Sequence, residues 1–138
     1  MRSLIIYTDG GARGNPGPAG FGVYICTPDD TPVERRYKYI GETTNNVAEY
    51  EWARHGIERA IELGATDIEL RSDSKLVIEQ LSGRYKVKNP GLKVIHTAIQ
   101  DLIRTYSGSI TFTHIYREQN AEADRLSNVA MDEGMKKI

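Results

Sequence analysis

The sequence predicts a single α/β domain in which a mixed β-sheet is covered by helices. Strand-like segments fill the first forty residues, and strands then alternate with helical segments to the end of the chain. An opening meander followed by this alternation is typical of a mixed sheet covered by helices. The length of 138 residues suits one domain with a substantial core. Because no repeat, linker or low-complexity segment interrupts residues 1–138, we interpret them as one domain.

Three strands are predicted before residue 41. They cover residues 3–9, 21–26 and 33–40. Successive side chains of the third strand point alternately to a solvated face of the sheet and to the other face. The turn cluster Pro28–Pro32 separates the second strand from the third. These two strands are therefore expected to form a hairpin.

From residue 47 the apolar spacing becomes helical. The first helix is predicted from Val47 to Gly64, with Gly64 as the C′ glycine. The later elements are a strand at 67–70, helices at 74–81 and 92–106, a strand at 110–116 and a helix from 121 to about 135. The predicted order is βββαβααβα.

Composition excludes several classes of protein. A net charge of −1 gives no general attraction to nucleic acid, so a nucleic acid could bind only at local basic patches of the surface. Cys26 is the single cysteine and lies among apolar residues, so we predict a core residue without a disulfide. No apolar run approaches the roughly 18 residues of a membrane span, and no signal peptide precedes the first strand. A reducing, cytoplasmic setting is therefore expected.

Four carboxylates lie where predicted elements end or begin. Asp9 closes the first strand, Asp73 follows the fourth, and Glu49 and Asp124 lie in the first turns of helices. In an open α/β sheet such positions converge on one edge, where ligands bind. Asp9 precedes a glycine-rich segment and not a helix, so helix capping cannot explain it.

The other three acids each have a structural alternative. Glu49 could be the N3 partner in a capping box that Asn46 begins. Asp73 could be an N-cap, and Asp124 could interact favourably with the dipole of its helix. The residues alone do not decide between these structural roles and a role in a ligand site.

Glu49 is followed on its own helix face by the small residues Ala53, Gly56 and Ala60. Small residues let a helix approach a sheet closely, so Glu49 is expected to point inward. Carboxylates brought together in partial burial raise each other's pKa and become protonated unless cations neutralise them. Oxygen ligands suit Mg²⁺, and no His/Cys cluster exists to favour zinc.

Four segments resemble, in order and spacing, the motifs of type 1 ribonuclease H. They are YTDGGARGNPGPAGFG, TTNNVAEYEW, LRSDSKLVIEQL and NAEADRLSNVA, and the resemblance extends from Leu4 to about Ala130. It implies a five-stranded mixed sheet with helices on both faces. It also implies hydrolysis of the RNA strand of RNA/DNA hybrids with two Mg²⁺ ions, or Mn²⁺ as a substitute, giving 5′-phosphate and 3′-hydroxyl ends.

The resemblance implies roles for individual residues. The acids that would bind metal are Asp9, Glu49, Asp73 and Asp124. The residues that would contact the hybrid are Gly10, Gly11, Asn15, Thr44, Asn45 and Asn46. Many bacterial members carry a histidine in the loop before the last helix, whereas residues 116–120 contain none. Arg117 is the candidate substitute, since its fixed charge could stabilise developing phosphate charge.

A basic run between the two central helices is a candidate phosphate-contacting patch. It consists of Arg84, Lys86, Lys88 and Lys93, with no acid among them. An ordinary solvated loop is the alternative. Because only residues 82–91 separate these helices, the extended basic protrusion of longer family members is not expected here.

Several other polar or aromatic residues are given structural roles. Trp52 is predicted to lie in the core and not to form a base-stacking platform. Ser72 and Ser74 are interpreted as capping or turn residues, since neither has an obvious base beside it. His114 alternates with apolar residues in the last strand and is predicted to be buried.

Two other functions remain as alternatives to hybrid cleavage. A nuclease of the same fold could act mainly on another duplex such as double-stranded RNA. A non-catalytic hybrid-binding module is also conceivable, although it would have no reason to keep four mutually repelling carboxylates. A P-loop is excluded, because no Gly-Lys-Ser/Thr follows the glycine run. We expect a monomer that binds RNA/DNA hybrid.

Overall fold

The computed structural model describes residues 2–136, which form five strands and four α-helices. In chain order these are β1 (Ser3–Ala12), β2 (Gly17–Cys26), β3 (Pro32–Thr43), α1 (Asn45–Glu62), β4 (Asp67–Ser72), α2 (Lys75–Leu81), α3 (Pro90–Thr105), β5 (Ser109–His114) and α4 (Ala121–Lys136). A short 3₁₀ turn, Arg117–Gln119, precedes α4. The predicted order βββαβααβα is confirmed.

The five strands form one mixed sheet in the order β3-β2-β1-β4-β5. Strands β1, β2 and β3 pair antiparallel, whereas β4 pairs parallel with both β1 and β5. Helix α1 packs on one face, where Gly56 lies against Ile6, Thr8 and Val23. Helix α4 packs on the other face. The central strand is therefore β1, and helices cover both faces of the sheet.

The first two strands are longer than predicted. Strand β1 continues past Asp9 to Ala12, and β2 begins at Gly17, so that Asp9 pairs with Gly22 inside the ladder. Only residues 13–16 form the turn between them. The prediction that Asp9 ends its strand is therefore wrong, as is the assignment of Gly10 and Gly11 to a loop.

Close contact with the helices explains two of the strand glycines. A Cβ added at Gly10 would lie 2.7 Å from Cδ1 of Trp52 in α1. A Cβ added at Gly22 would lie 2.5 Å from Cβ of Leu126 in α4. Glycine is required where backbone is approached this closely. The glycines therefore let both helices press against the strands that carry the site.

The core lies mainly between the sheet and α1. Trp52 is fully buried and Cys26 is buried at the end of β2, which confirms both predictions. His114 is exposed, so its predicted burial is wrong. It is the last residue of the edge strand β5, and its ring contacts that of the exposed Tyr116 at a centroid distance of 6.3 Å. Among the helices of residues 2–136, none combines the length and apolar character of a membrane span.

Candidate active site

The four predicted acids line a single cleft near the carboxyl ends of β1 and β4. The cleft has a volume of about 320 Å³. Its lining residues are Asp9, Gly10, Gly11, Asn45, Glu49, Asp73, Arg117, Asp124, Ser127, Asn128 and Met131. The structure therefore brings together acids from β1, from the turn after β4 and from two helices, as the sequence predicts.

Parallel pairing places Asp73 beside Asp9. Thr8 pairs with Ser72 across β1 and β4, so the next residue of each strand emerges on the same edge. Ser72 is buried, and its Oγ accepts a hydrogen bond from the Ser74 N–H at 3.1 Å. This turn fixes the direction in which the chain leaves β4, and with it the position of Asp73.

The start of α1 excludes a capping role for Glu49. Thr44 is the N-cap, because its Oγ1 accepts from the Val47 N–H at 3.3 Å. Glu49 therefore lies in the second turn of the helix, and the alternative of a capping box with Asn46 is wrong. Its Oε2 instead accepts from the Ser74 hydroxyl at 3.4 Å.

The start of α2 likewise excludes a capping role for Asp73. The N-cap of this helix is Ser74, whose Oγ accepts from the Val77 N–H at 3.4 Å. The prediction that Ser74 is a capping residue is confirmed. Asp73 lies one residue earlier, so its carboxylate is left for the cleft.

Asn120 holds the start of α4 against β1. Its side chain is buried, and its Nδ2 donates to the Thr8 carbonyl at 2.9 Å. Its own carbonyl accepts from the Asp124 N–H at 3.1 Å, in the first turn of α4. One residue thus connects the backbones next to Asp9 and Asp124. Sequence reasoning missed Asn120, because its position before a helix suggests only an ordinary cap.

Crowding of the acids disfavours their charged forms. Burial raises the pKa of Asp9 to about 8, and a hydrogen bond with Asp124 and the charges of Asp73 and Asp124 act in the same direction. Burial also raises the pKa of Glu49 to about 7, against a hydrogen bond from Ser74 that lowers it. Asp9 is therefore inclined to keep its proton near neutral pH in the absence of a cation.

The donor set suits a hard divalent cation. The acids supply only carboxylate oxygens, which are the ligands of Mg²⁺ and similar ions. Within residues 2–136 no three His, Cys, Asp or Glu side chains converge closely enough to enclose an ion on their own. Mg²⁺ usually keeps several waters and takes one or two carboxylates plus a substrate phosphate, so a closed protein cage is not needed.

Arg117 lies on the 3₁₀ turn before α4, and among residues 2–136 it is the one cationic side chain in the lining of the acid cleft. It is exposed, which leaves its guanidinium free to meet a bound phosphate. The structure thus places the predicted histidine substitute beside the acids.

The predicted substrate contacts are divided between two adjoining clefts. Gly10, Gly11 and Asn45 line the acid cleft. The others line a second cleft of about 320 Å³, formed by Asn15, Thr43, Thr44, Asn46, Val47, Asn89, Gly91 and Leu92. Sequence reasoning missed Asn89, whose Oδ1 caps α3 by accepting from the Gly91 and Leu92 N–H groups.

The basic run is only partly available for binding. Arg84 is paired with Glu79 of α2 at 2.7 Å, a partner that the linear sequence did not indicate. Lys86, Lys88 and Lys93 are exposed, and within the part of the chain that the structure describes they form no ion pair. The lysines therefore remain candidates for phosphate contact, whereas Arg84 is a weaker one.

Comparison with known proteins places the chain in a family. Residues 7–130 match the family model described as Reverse transcriptase-like. The chain is 46% identical over 130 residues to a bifunctional protein of Mycobacterium tuberculosis, covering 94% of this chain but only 35% of the relative. It is 33% identical over 149 residues to a ribonuclease H of Lachnoclostridium phytofermentans, covering 95% of this chain and 93% of the relative.

A solved structure gives a similar result. LC11-RNase H1, determined in complex with an RNA/DNA hybrid, matches with a TM-score of 0.91 and 45% identity, covering 96% of this chain and 99% of that chain. Ribonucleases H depend on divalent metal ions, which agrees with the four carboxylates in the lining of the cleft. The chain therefore belongs to the type 1 ribonuclease H family.

Proposed function

We propose that the protein is an endoribonuclease that hydrolyses the RNA strand of RNA/DNA hybrids in a metal-dependent reaction. The observation that carries this proposal is the convergence of Asp9, Glu49, Asp73 and Asp124 in one cleft beside an exposed arginine. The similarity to LC11-RNase H1, whose structure contains an RNA/DNA hybrid, supports the choice of substrate. Because the chain spans 35% of the length of its mycobacterial relative, the proposal concerns this domain alone.

Mg²⁺ is the proposed metal, held by the four acids, with Mn²⁺ as a substitute. When bound, two such ions supply an activated water and charge stabilisation for the leaving 3′-oxygen. Asp9, whose pKa is raised, must lose its proton before it can bind a metal ion, which is a cost that a dication offsets. No side-chain nucleophile is needed, and the products would carry 5′-phosphate and 3′-hydroxyl ends.

The residues around the acids orient the substrate. Gly10 and Gly11 both line the acid cleft. The missing Cβ of Gly10 faces Trp52, whereas Gly11 has no such neighbour, so a nucleic-acid strand can come close to the Gly11 backbone. The second cleft presents the short polar side chains of Asn15, Thr44 and Asn46. Such groups suit recognition of sugar 2′-hydroxyls and backbone shape without reading base sequence.

A substrate panel tests this proposal. Labelled RNA/DNA hybrid, double-stranded RNA and double-stranded DNA are each incubated with the protein in Mg²⁺, Mn²⁺ or EDTA. We expect cleavage of the RNA strand of the hybrid with either metal, and no cleavage of double-stranded DNA. Faster cleavage of double-stranded RNA would favour the alternative nuclease, and hybrid binding without cleavage would favour a non-catalytic module.

Arg117→Ala should lower kcat on the hybrid by about 10- to 100-fold, because a fixed charge near the developing phosphate charge is lost. Arg117→Lys should recover part of the rate, since it restores charge but not the planar guanidinium. Single-turnover kinetics on the hybrid measure both variants. If Arg117→Ala cleaves the hybrid at the wild-type rate, Arg117 does not contribute to catalysis.

Neutralising Lys86 and Lys88 together, as Lys86→Gln/Lys88→Gln, should raise KM for the hybrid and flatten its dependence on salt. Removing a lysine that binds one phosphate should reduce the slope of log affinity against log salt by roughly one. The matched control removes two distant charges, as Lys38→Gln/Arg104→Gln, and should keep the slope. An unchanged slope in the Lys86/Lys88 variant would show that this basic run is an ordinary solvated loop that does not contact phosphate.

We also propose that one copy of this single domain suffices for activity in the cytoplasm. The four acids and Arg117 line one cleft of a single chain, which is the set of residues that a monomer acting alone requires. Size-exclusion chromatography with light scattering, combined with activity assays over a range of protein concentrations, tests this. Specific activity that rises with dimerisation would contradict it.

A further inference from the structure

The turn of residues 13–16 follows the part of β1 that lines the acid cleft and has few hydrogen bonds within itself. All four of its residues are exposed, and Gly14 has a left-handed φ of 94°. One backbone hydrogen bond crosses the turn, from the Arg13 N–H to the Pro18 carbonyl at 2.8 Å. The turn carries Asn15 into the lining of the second cleft, so its position matters for the proposed substrate contact.

On one side the turn is attached to α1. The Asn15 Oδ1 accepts from the Asn45 N–H at 3.2 Å. The Asn45 Oδ1 in turn accepts from the Ala12 N–H at 2.6 Å. The first bond connects the turn, and the second connects the end of β1, to the first residue of the helix that carries Glu49.

On the other side Arg13 attaches the turn to α4. Its Nη1 donates to Asp132 Oδ1 at 2.6 Å, and its Nη2 donates to Asn128 Oδ1 at 3.2 Å. Asn128 also donates from Nδ2 to the Asp124 carbonyl at 3.0 Å, and it lines the acid cleft. Arg13 therefore connects the turn to the helix that carries Asp124.

The ion pair is too exposed to matter much for global stability. The Arg13 side chain is 35% exposed and that of Asp132 is 56% exposed. Partly exposed pairs of this kind contribute little to the free energy of unfolding. Helix α4 is already held by its contacts with Gly20 and Gly22 and by Asn120. What Arg13 adds is a restraint on the turn.

We infer that Arg13 is a positioning residue for hybrid binding, because its bonds to Asp132 and Asn128 hold the turn where Asn15 faces the substrate. This inference rests on the proposed function. Without the restraint, binding must also order the turn, and ordering a side chain or loop segment weakens affinity by about two- to ten-fold. The effect falls on KM and not on kcat, since the acids are positioned by other contacts.

Direct contact between Arg13 and a substrate phosphate is the competing role, and Asp132 distinguishes the two. If Arg13 bound phosphate, Asp132→Asn would free it and remove a repelling charge, so hybrid binding would tighten. If Arg13 positions the turn, Asp132→Asn loosens the turn and binding weakens. The two roles predict opposite signs for the same substitution.

The experiment measures kcat, KM and the hybrid Kd for wild type, Arg13→Ala, Asp132→Asn and the double variant, with Glu133→Gln as control. Glu133 is the next acid on α4 and bonds to the Tyr37 hydroxyl, away from the turn. We expect both single variants to raise KM and Kd by about two- to ten-fold with kcat within two-fold. The double variant should be no worse than Arg13→Ala, and the control should match wild type.

Tighter or unchanged binding in Asp132→Asn would overturn the inference, as would a loss of kcat in Arg13→Ala with KM unchanged. Hydrogen exchange gives a second readout, since the amides of residues 13–15 should exchange faster in both single variants. If wild type itself neither binds nor cleaves the hybrid, the proposed function fails. Hydrogen exchange then still decides whether Arg13 restrains the turn.

Discussion

Asp9→Asn should abolish hybrid cleavage while leaving the fold intact. Asp9 lies on the central strand at the point where the other acids converge, and an amide there loses both the charge and an anionic oxygen ligand. We expect kcat to fall by about a thousand-fold or more, as for loss of several kcal/mol of transition-state stabilisation. Multiple-turnover kinetics on the hybrid, with circular dichroism to confirm folding, measure the effect.

The same variant should be more stable than wild type in metal-free buffer at neutral pH. The charged form of Asp9 is disfavoured by burial and by the neighbouring Asp73 and Asp124, so a neutral amide relieves that cost. Thermal unfolding in EDTA should show a higher Tm for Asp9→Asn. The control Asp101→Asn, at an exposed acid of α3, should show no such gain. Full activity in Asp9→Asn would show that Asp9 is not a catalytic residue.

Gly22→Ala should cause the largest loss of stability among the substitutions considered. The new Cβ would lie 2.5 Å from Cβ of Leu126 and 2.6 Å from the Ala123 carbonyl oxygen, where helix backbone cannot rotate away. Helix α4 must therefore move off β2, at a cost of about 1–3 kcal/mol or more. Because α4 carries Asp124, activity should fall as well, and urea unfolding and hybrid cleavage measure the two effects.

Gly41→Ala is the matched control for this substitution. Gly41 has a left-handed φ of 83°, but an added Cβ would meet no atom within 4 Å. Its substitution should therefore cost only backbone strain, about 1–2 kcal/mol, and leave α4 in place. A Gly22→Ala protein with full activity, or one as stable as wild type, would contradict the close packing of α4 on β2.

The sequence predicts the positions of Glu49, Asp73 and Asp124 well because each lies beside a strong local signal. Asp73 follows a clear strand, and Glu49 and Asp124 lie near the starts of amphipathic helices. Sheet topology then brings these positions together without further information, since parallel strands share their carboxyl edge. The fold class and the element order follow from the same local patterns.

Contacts between distant segments could not be predicted in this way. Asn120 bonds to Thr8, which is 112 residues away, and nothing around either residue indicates the pairing. Glycine is ambiguous for a different reason, because it serves both sharp turns and close helix contacts. The local pattern therefore does not identify Gly10 and Gly11 as strand residues. Alternation of apolar and polar residues predicts the face of the sheet on which His114 lies. It does not predict whether other residues cover that face at the end of an edge strand.

The most direct test of the central claim is an analysis of the products from a hybrid with labelled RNA. The claim is that the four acids form one metal-dependent site for hydrolysis of the RNA strand. With Mg²⁺ we predict RNA fragments that carry 5′-phosphate and 3′-hydroxyl ends, and an intact DNA strand. EDTA or Asp9→Asn should each prevent their formation. Cleavage that persists in EDTA, or that Asp9→Asn leaves undiminished, would contradict the claim.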